Sequence, residues 1–261
     1  MHKIRFIWLA IFTVLIFHDV ARAQTSRPPQ TVQQFNNWFV PAVSFRFHQY
    51  VGITVEGQLR FNQFVHNQQH QARGWLDLFV NDHFVISPVG YVYTWNYRYG
   101  KMPVAVPENE HRLFEQLVWK FSEGRFYFNN RVRLEQRWVE HKSSNSLDAF
   151  ARNGFVYSNR LRYRFQVSVP LNHRDLRSKT IYLSAYDECF ISFGKAVTYK
   201  FPDQNRAYLG LGYKFSASGS VGLGYMHQLI LRSNATKAES NHTIVVSFNY
   251  DFDLRKKKRK G

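Results

Sequence analysis

The chain has one cysteine, Cys189, in 261 residues. No internal disulfide is possible, which excludes a disulfide-stapled extracellular module. Helical periodicity is nearly absent after residue 23, and no later run reaches the ~20 apolar residues of a membrane helix without a charge. If this protein crosses a membrane, it does so with strands. Acidic residues are also scarce: 18 Asp+Glu stand against 35 Lys+Arg, a formal net charge of +17.

Part of that charge lies outside the expected fold. Residues 1–23 have the form of an export signal. Lys3 and Arg5 flank the apolar run IRFIWLAIFTVLIF, and Ala21-Arg22-Ala23 forms a small-residue cleavage site before Gln24. Taking away Lys3, Arg5, Arg22 and Asp19 with that segment leaves +15; six more basic residues sit in RKKKRK, 255–260. The expected organisation is a signal peptide at 1–23, an N-terminal segment at 24–36, a barrel at 37–252 and a basic tail at 253–261. The tail has the composition of a nucleic-acid patch. An exported barrel does not meet DNA, so no nucleic-acid partner is expected. The tail reads as a solvated periplasmic segment, with contact to anionic lipid head groups as the alternative, at about 1 kcal/mol per basic residue near a charged surface.

What the sequence does have is period-2 alternation. In RFYFNNRVRLEQRW, 125–138, the odd positions carry Arg131, Arg133, Glu135 and Arg137, and Phe126, Phe128, Val132, Leu134 and Trp138 fall between them. In 157–169, Arg160, Arg162 and Arg164 alternate with Leu161, Tyr163 and Phe165. The stretches 50–63, 206–215 and 242–252 alternate in the same way. With 37–47, 72–81, 84–98, 110–121, 179–192 and 219–231 the pattern predicts eleven strands. Most exceed the 5–6 residues typical of soluble sheets and match the ~9–11 of a tilted membrane strand. Short connections fall near 48–49, 82–83, 122–124 and 216–218, with an intermediate one at 170–178. Long ones fall near 64–71, 99–109, 140–156, 193–205 and 232–241. Bacterial single-chain barrels have even strand numbers. The count is therefore expected to become ten, by losing 37–47, or twelve.

Alternation alone does not say which face is inside. Three features favour an apolar face turned to lipid: aromatics near strand ends (Trp38, Trp75, Trp95, Trp138, Tyr250), arginine triplets on the polar rows, and long segments behind an export signal. The fold class expected is all-β, a single antiparallel up-and-down transmembrane β-barrel of 10–12 strands in the bacterial outer membrane. Its partners are outer-membrane lipids, including lipopolysaccharide, and small anionic solutes. An arginine on the lipid face costs about 2–4 kcal/mol at midplane, which explains why the arginines keep to one face.

The segments EHRLFEQ (110–116), NRVRLEQRW (130–138), NRLRYRF (159–165), AYDECF (185–190), DQNRAYLGLGYKF (203–215) and LGYMHQ (223–228) occur in an order that resembles domain-of-unknown-function family 2490. These are uncharacterised bacterial outer-membrane proteins. The resemblance spans roughly residues 36–252. It implies an exported barrel of Gram-negative bacteria and no particular activity.

The sharpest constellation is Arg131, Arg133, Arg137, Arg160, Arg162 and Arg164. It reads as an anion-preferring constriction, as a site for a phosphorylated or carboxylated solute, or as a lumen plugged by pairing with Glu56, Glu110, Glu135 and Glu188. The alternative is a lipid hydrolase with a rim His/Ser site, from His141 with Ser143 or Ser144, or from His227 or His242 with Ser240. Asp187 with Glu188 is a carboxylate pair by sequence. A soluble exported barrel that binds an apolar ligand is a third reading. His66 and His70 in HNQQH have no neighbouring carboxylate or cysteine, so no metal or other cofactor is expected. Cys189 reads as a small buried apolar residue. The glycines of GLG, 210–212, suit a tight interior rather than a phosphate loop.

Overall fold

The computed structural model of the protein describes residues 30–97, 99, 108–144, 150–197, 202–231 and 237–255. The expected signal peptide and most of the basic tail lie outside them. Eleven strands close into one barrel: β1 (Gln30–Arg46), β2 (Val51–Asn62), β3 (His66–Phe79), β4 (Phe84–Asn96), β5 (Asn109–Glu123), β6 (Phe126–Ser144), β7 (Phe150–Pro170), β8 (Thr180–Phe193), β9 (Gln204–Lys214), β10 (Gly219–Leu231) and β11 (Lys237–Asp253). Consecutive strands are antiparallel neighbours throughout.

The closing seam corrects two expectations. β1 pairs β11 in parallel, from Gln30↔Lys237 to Arg46↔Asp253. The barrel is therefore not antiparallel all round, and its count is neither ten nor twelve. An odd number of up-and-down strands starts at one mouth and ends at the other, so the first and last run the same way and close in parallel. Strand 37–47 is a full member and starts earlier, so residues 30–36 are barrel rather than a separate N-terminal segment. β11 likewise runs one residue past Phe252.

The turns also differ from expectation. The 64–71 connection shrinks to residues 63–65, where Gln63 and Phe64 take positive φ of 51° and 69°. Most of 140–156 is strand, because β6 and β7 extend into it. The β5–β6 turn is as short as expected; Gly124, at φ 58°, supplies the left-handed residue that reverses the chain.

Burial is inverted relative to a water-soluble barrel. Glu135 and Arg133 are 0% and 1% exposed in the lumen, whereas Leu209 and Leu223 are 55% and 59% exposed outside. Large exposed apolar side chains come from β1, β2 and every strand from β4 to β11. No helix among the described residues is long and apolar enough to cross a membrane.

Trp38 and Trp75 are corrected too. Neither sits in an outer girdle. Trp38 shares the lumen face of β1 with Gln34 and Asn36 and packs with Met226 and Val245. Trp75 lines the lumen against Phe114, next to a bulge in the β3–β4 pairing. Trp95 is 40% exposed on the outer side.

Candidate functional site

Register places the two arginine triplets face to face. On β6 and β7, Arg131 lies opposite Arg164, Arg133 opposite Arg162, and Glu135 opposite Arg160. Like charges directly opposed destabilise a sheet, so anions must sit between them. Two buried glutamates do so. Glu135 accepts from Arg160 Nε at 2.8 Å and Arg162 Nη1 at 2.6 Å. Glu188 on β8 accepts from Arg162 Nη2 at 2.8 Å and from Arg131, and it lies 3.6 Å from Arg206. Such charge-assisted contacts are the strong class of hydrogen bond.

The other two glutamates named from sequence also face the lumen. Glu110 takes Arg112 through two bonds, of 2.7 and 2.6 Å, and Arg137 through a third. Glu56 pairs with Arg73 at 2.8 Å. Arg133 is held differently: it donates to Gln116 Oε1 at 3.1 and 2.6 Å, lies over the Phe114 ring at 3.9 Å, and is 4.0 Å from Glu135. Gly90 makes this possible, because a Cβ there would come within 2.2 Å of the Phe114 ring. Arg164 lies over Tyr186 at 5.6 Å. Gly210 and Gly224 face Tyr208, and Gly212 faces Tyr182, so the glycines of β9 and β10 make room for lumen tyrosines.

Further lumen arginines were not singled out from sequence, among them Arg60, Arg73, Arg112 and Arg206. Each sits singly on a polar row, so alternation could have found them where clustering did not. These four and the two triplets surround Glu56, Glu110, Glu135 and Glu188.

Two cavities flank this waist and share no lining residue. One of about 260 Å³ opens towards the β4–β5 loop and is floored by Trp38, Arg60, Arg162 and Arg206. At its rim, burial raises the Glu108 carboxyl above the usual range, against the pull of His141 and Lys142. The other, about 560 Å³, lies at the short-turn end and is lined by Arg46, Lys120, Arg131 and Arg164, with Asp77 and Asp251.

The remaining candidates scatter. Asp187 and Glu188 point to opposite faces, Glu188 into the lumen and Asp187 outward to Asn205 at 3.1 Å, so they form no carboxylate pair. His227 Nε2 lies 2.9 Å from Ser240 Oγ near the loop-side rim of β10 and β11. His242 bonds Tyr225 instead, at 2.6 Å. The side chains of Ser143 and Ser144 lie outside the described residues. His70 contacts Asn67 and packs on Phe61 and Tyr97. No metal-type cluster occurs among the described residues. Cys189 is partly exposed rather than buried.

Fold and lumen together define a closed β-barrel with a charge-filled interior. A family model described as "Protein of unknown function (DUF2490)" matches residues 35–239, and the chain belongs to that family. Among solved structures, "NanC porin structure in rhombohedral crystal form" is similar at 13% identity, over 78% of this chain and 92% of that one, with a TM-score of 0.43. No curated protein matches the chain.

Proposed function

We propose that this protein is an exported outer-membrane barrel whose lumen is shut at the waist by the arginine–glutamate lattice. The observation that carries the reading is the inverted burial: a fully buried Glu135 inside, and Leu209 and Leu223 more than half exposed outside. Lipid and lipopolysaccharide acyl chains are the partners for that outer face. The excess of arginine makes any solute that enters an anion. The role is structural or that of a narrow anion-preferring passage, closed at rest.

Refolding residues 24–261 from detergent into a planar bilayer tests this. Insertion without steady conductance is expected. A steady open-channel current overturns the closed waist, and failure to partition with detergent or vesicles overturns the membrane placement.

A second reading has one foothold, the 2.9 Å contact of His227 with Ser240 on the outer face near the rim. It requires lipid-ester hydrolysis that Ser240→Ala abolishes. Turnover by wild type that survives this change removes Ser240 as its nucleophile.

A further inference from the structure

Among the described residues the loop-side cavity is lined by seven arginines and two glutamates, Glu108 and Glu110. Glu110 is already engaged by Arg112 and Arg137. Arg60 is 6% exposed, and among the described residues it meets no carboxylate. Its donors go to amide oxygens: Gln58 at 3.1 Å, Gln71 at 3.3 Å, and Gln69. Arg206, 9% exposed, is held alike. With its amide oxygen turned to the guanidinium, Gln204 accepts from both Nε and Nη2 at 2.9 Å. Its nearest carboxylate, Glu188 at 3.6 Å, is shared with Arg131 and Arg162.

Both guanidiniums converge on one ring. Arg60 lies 3.8 Å and Arg206 5.0 Å from the Trp38 centroid. Trp38 is itself pinned by Nε1 donating to Gln68 at 3.1 Å. Neutral glutamines orient these cations without neutralising them, and the indole face offsets only a small part of the charge. Two buried, pre-oriented guanidiniums, Arg60 without a carboxylate among the described residues and Arg206 sharing Glu188 with Arg131 and Arg162, at the floor of an accessible cavity, are a receptor for oxyanions. The space of about 260 Å³ lies just below the ~300–1,000 Å³ of small-molecule pockets, so the guest is small.

We infer that the loop-side cavity is a binding site for a small solute with two or more negative charges on phosphate or carboxylate groups, held by Arg60 and Arg206 on Trp38. The inference rests on the proposed reading that any solute entering the lumen is an anion. It assigns a substrate class and a location to that reading.

The test is titration calorimetry of the refolded full-length mature chain in detergent micelles, at constant ionic strength, with pyrophosphate and with citrate as probes. Saturable binding of at least one probe is expected. Binding of pyrophosphate alone points to phosphorylated solutes, and binding of citrate alone to carboxylates. The double change Arg60→Gln with Arg206→Gln should weaken binding roughly tenfold or more, by loss of two charge-assisted contacts. The turn-side pair Arg46→Gln with Arg164→Gln should leave it unchanged. Absence of binding by both probes overturns the inference, as does an equal loss in the turn-side variant. If the Arg60/Arg206 variant does not fold, tryptophan emission of wild type against Trp38→Phe decides. A probe-dependent change that disappears with Trp38 supports the site, and no such change overturns it. No membrane is involved, so a barrel that inserts but binds nothing fails this inference alone. One that binds but does not insert fails the membrane reading instead.

Discussion

Replacing Glu135 by Gln tests the lattice directly. The side chain is fully buried and its two oxygens serve Arg160 and Arg162, with Arg133 4.0 Å away. The amide keeps the shape, removes the charge, and turns an –NH2 group towards a guanidinium that needs an acceptor. Removing one partner of a buried ion pair costs about 3–5 kcal/mol, because the charge left behind is uncompensated. The flanking cavities give the freed arginines some access to water, which places the expected loss near ~3 kcal/mol. Equilibrium urea unfolding of the refolded barrel, followed by tryptophan emission, reads this directly. Adding Arg160→Gln should recover part of the loss, with a coupling of about 0.5–3 kcal/mol in the double-mutant cycle. Raising salt should change the result little, since buried pairs are weakly screened. A loss below ~1 kcal/mol, the scale of exposed ion pairs, would refute the reasoning. It would mean that water fills the waist and the arginines line an open passage.

Leu223→Arg, at a position 59% exposed on the outer face, should cost about 2–4 kcal/mol in vesicles if lipid covers that face. A barrel standing in water would tolerate it to within ~0.5 kcal/mol in the same unfolding assay. Gly90→Ala drives a methyl into the Phe114 ring and should destabilise by about 1–3 kcal/mol; an unchanged midpoint would show that the ring is free to move. Arg133→Ala removes the cation lying over Phe114 at the waist, and planar-bilayer recording should then show a small anion-selective current that wild type lacks.

Alternation made most of the barrel legible, and it worked best where both faces are constrained. β10 runs over the residues that the pattern marks, 219–231, with Leu223 and Tyr225 outward and Met226 and Gln228 inward. It failed at the loop-side ends. β7 starts at Phe150 rather than 157, because FARNGFV keeps no apolar row there, and the ladder is held by backbone pairing such as Lys142↔Arg152. The arginine triplets were conspicuous because they cluster. Arg60 and Arg206 were not, since a single arginine on a polar row looks like any solvated residue until the register brings both to one indole. Trp38 was misplaced because a tryptophan near a strand end suits a lipid girdle. Its phase with Gln34 and Asn36 points inward, and phase is the stronger signal in a strand.

The parallel seam follows from the odd strand count, and it should be the barrel's weakest joint. Parallel pairing is slightly less stable per residue than antiparallel. Its two ends are also unequal. At the turn end, Phe45 stacks on Phe252 at 5.3 Å and Leu254 N–H donates to the Arg46 carbonyl at 2.9 Å, which clamps the ladder. Towards the other end, both amide atoms of Gln34, Asn36 Nδ2, Asn241 Oδ1 and Thr243 Oγ1 are buried without a hydrogen-bond partner among the described residues. Each such group gives up its hydration for nothing, at about 1–3 kcal/mol, and regains it when the strands part. Opening should therefore begin at the loop-side half of the seam. Hydrogen exchange on the refolded barrel should show amides of residues 34–38 and 241–245 exchanging before those of 42–46 and 249–253. Equal protection along the seam, or faster exchange at the turn end, would show that these polar groups find partners in the refolded barrel.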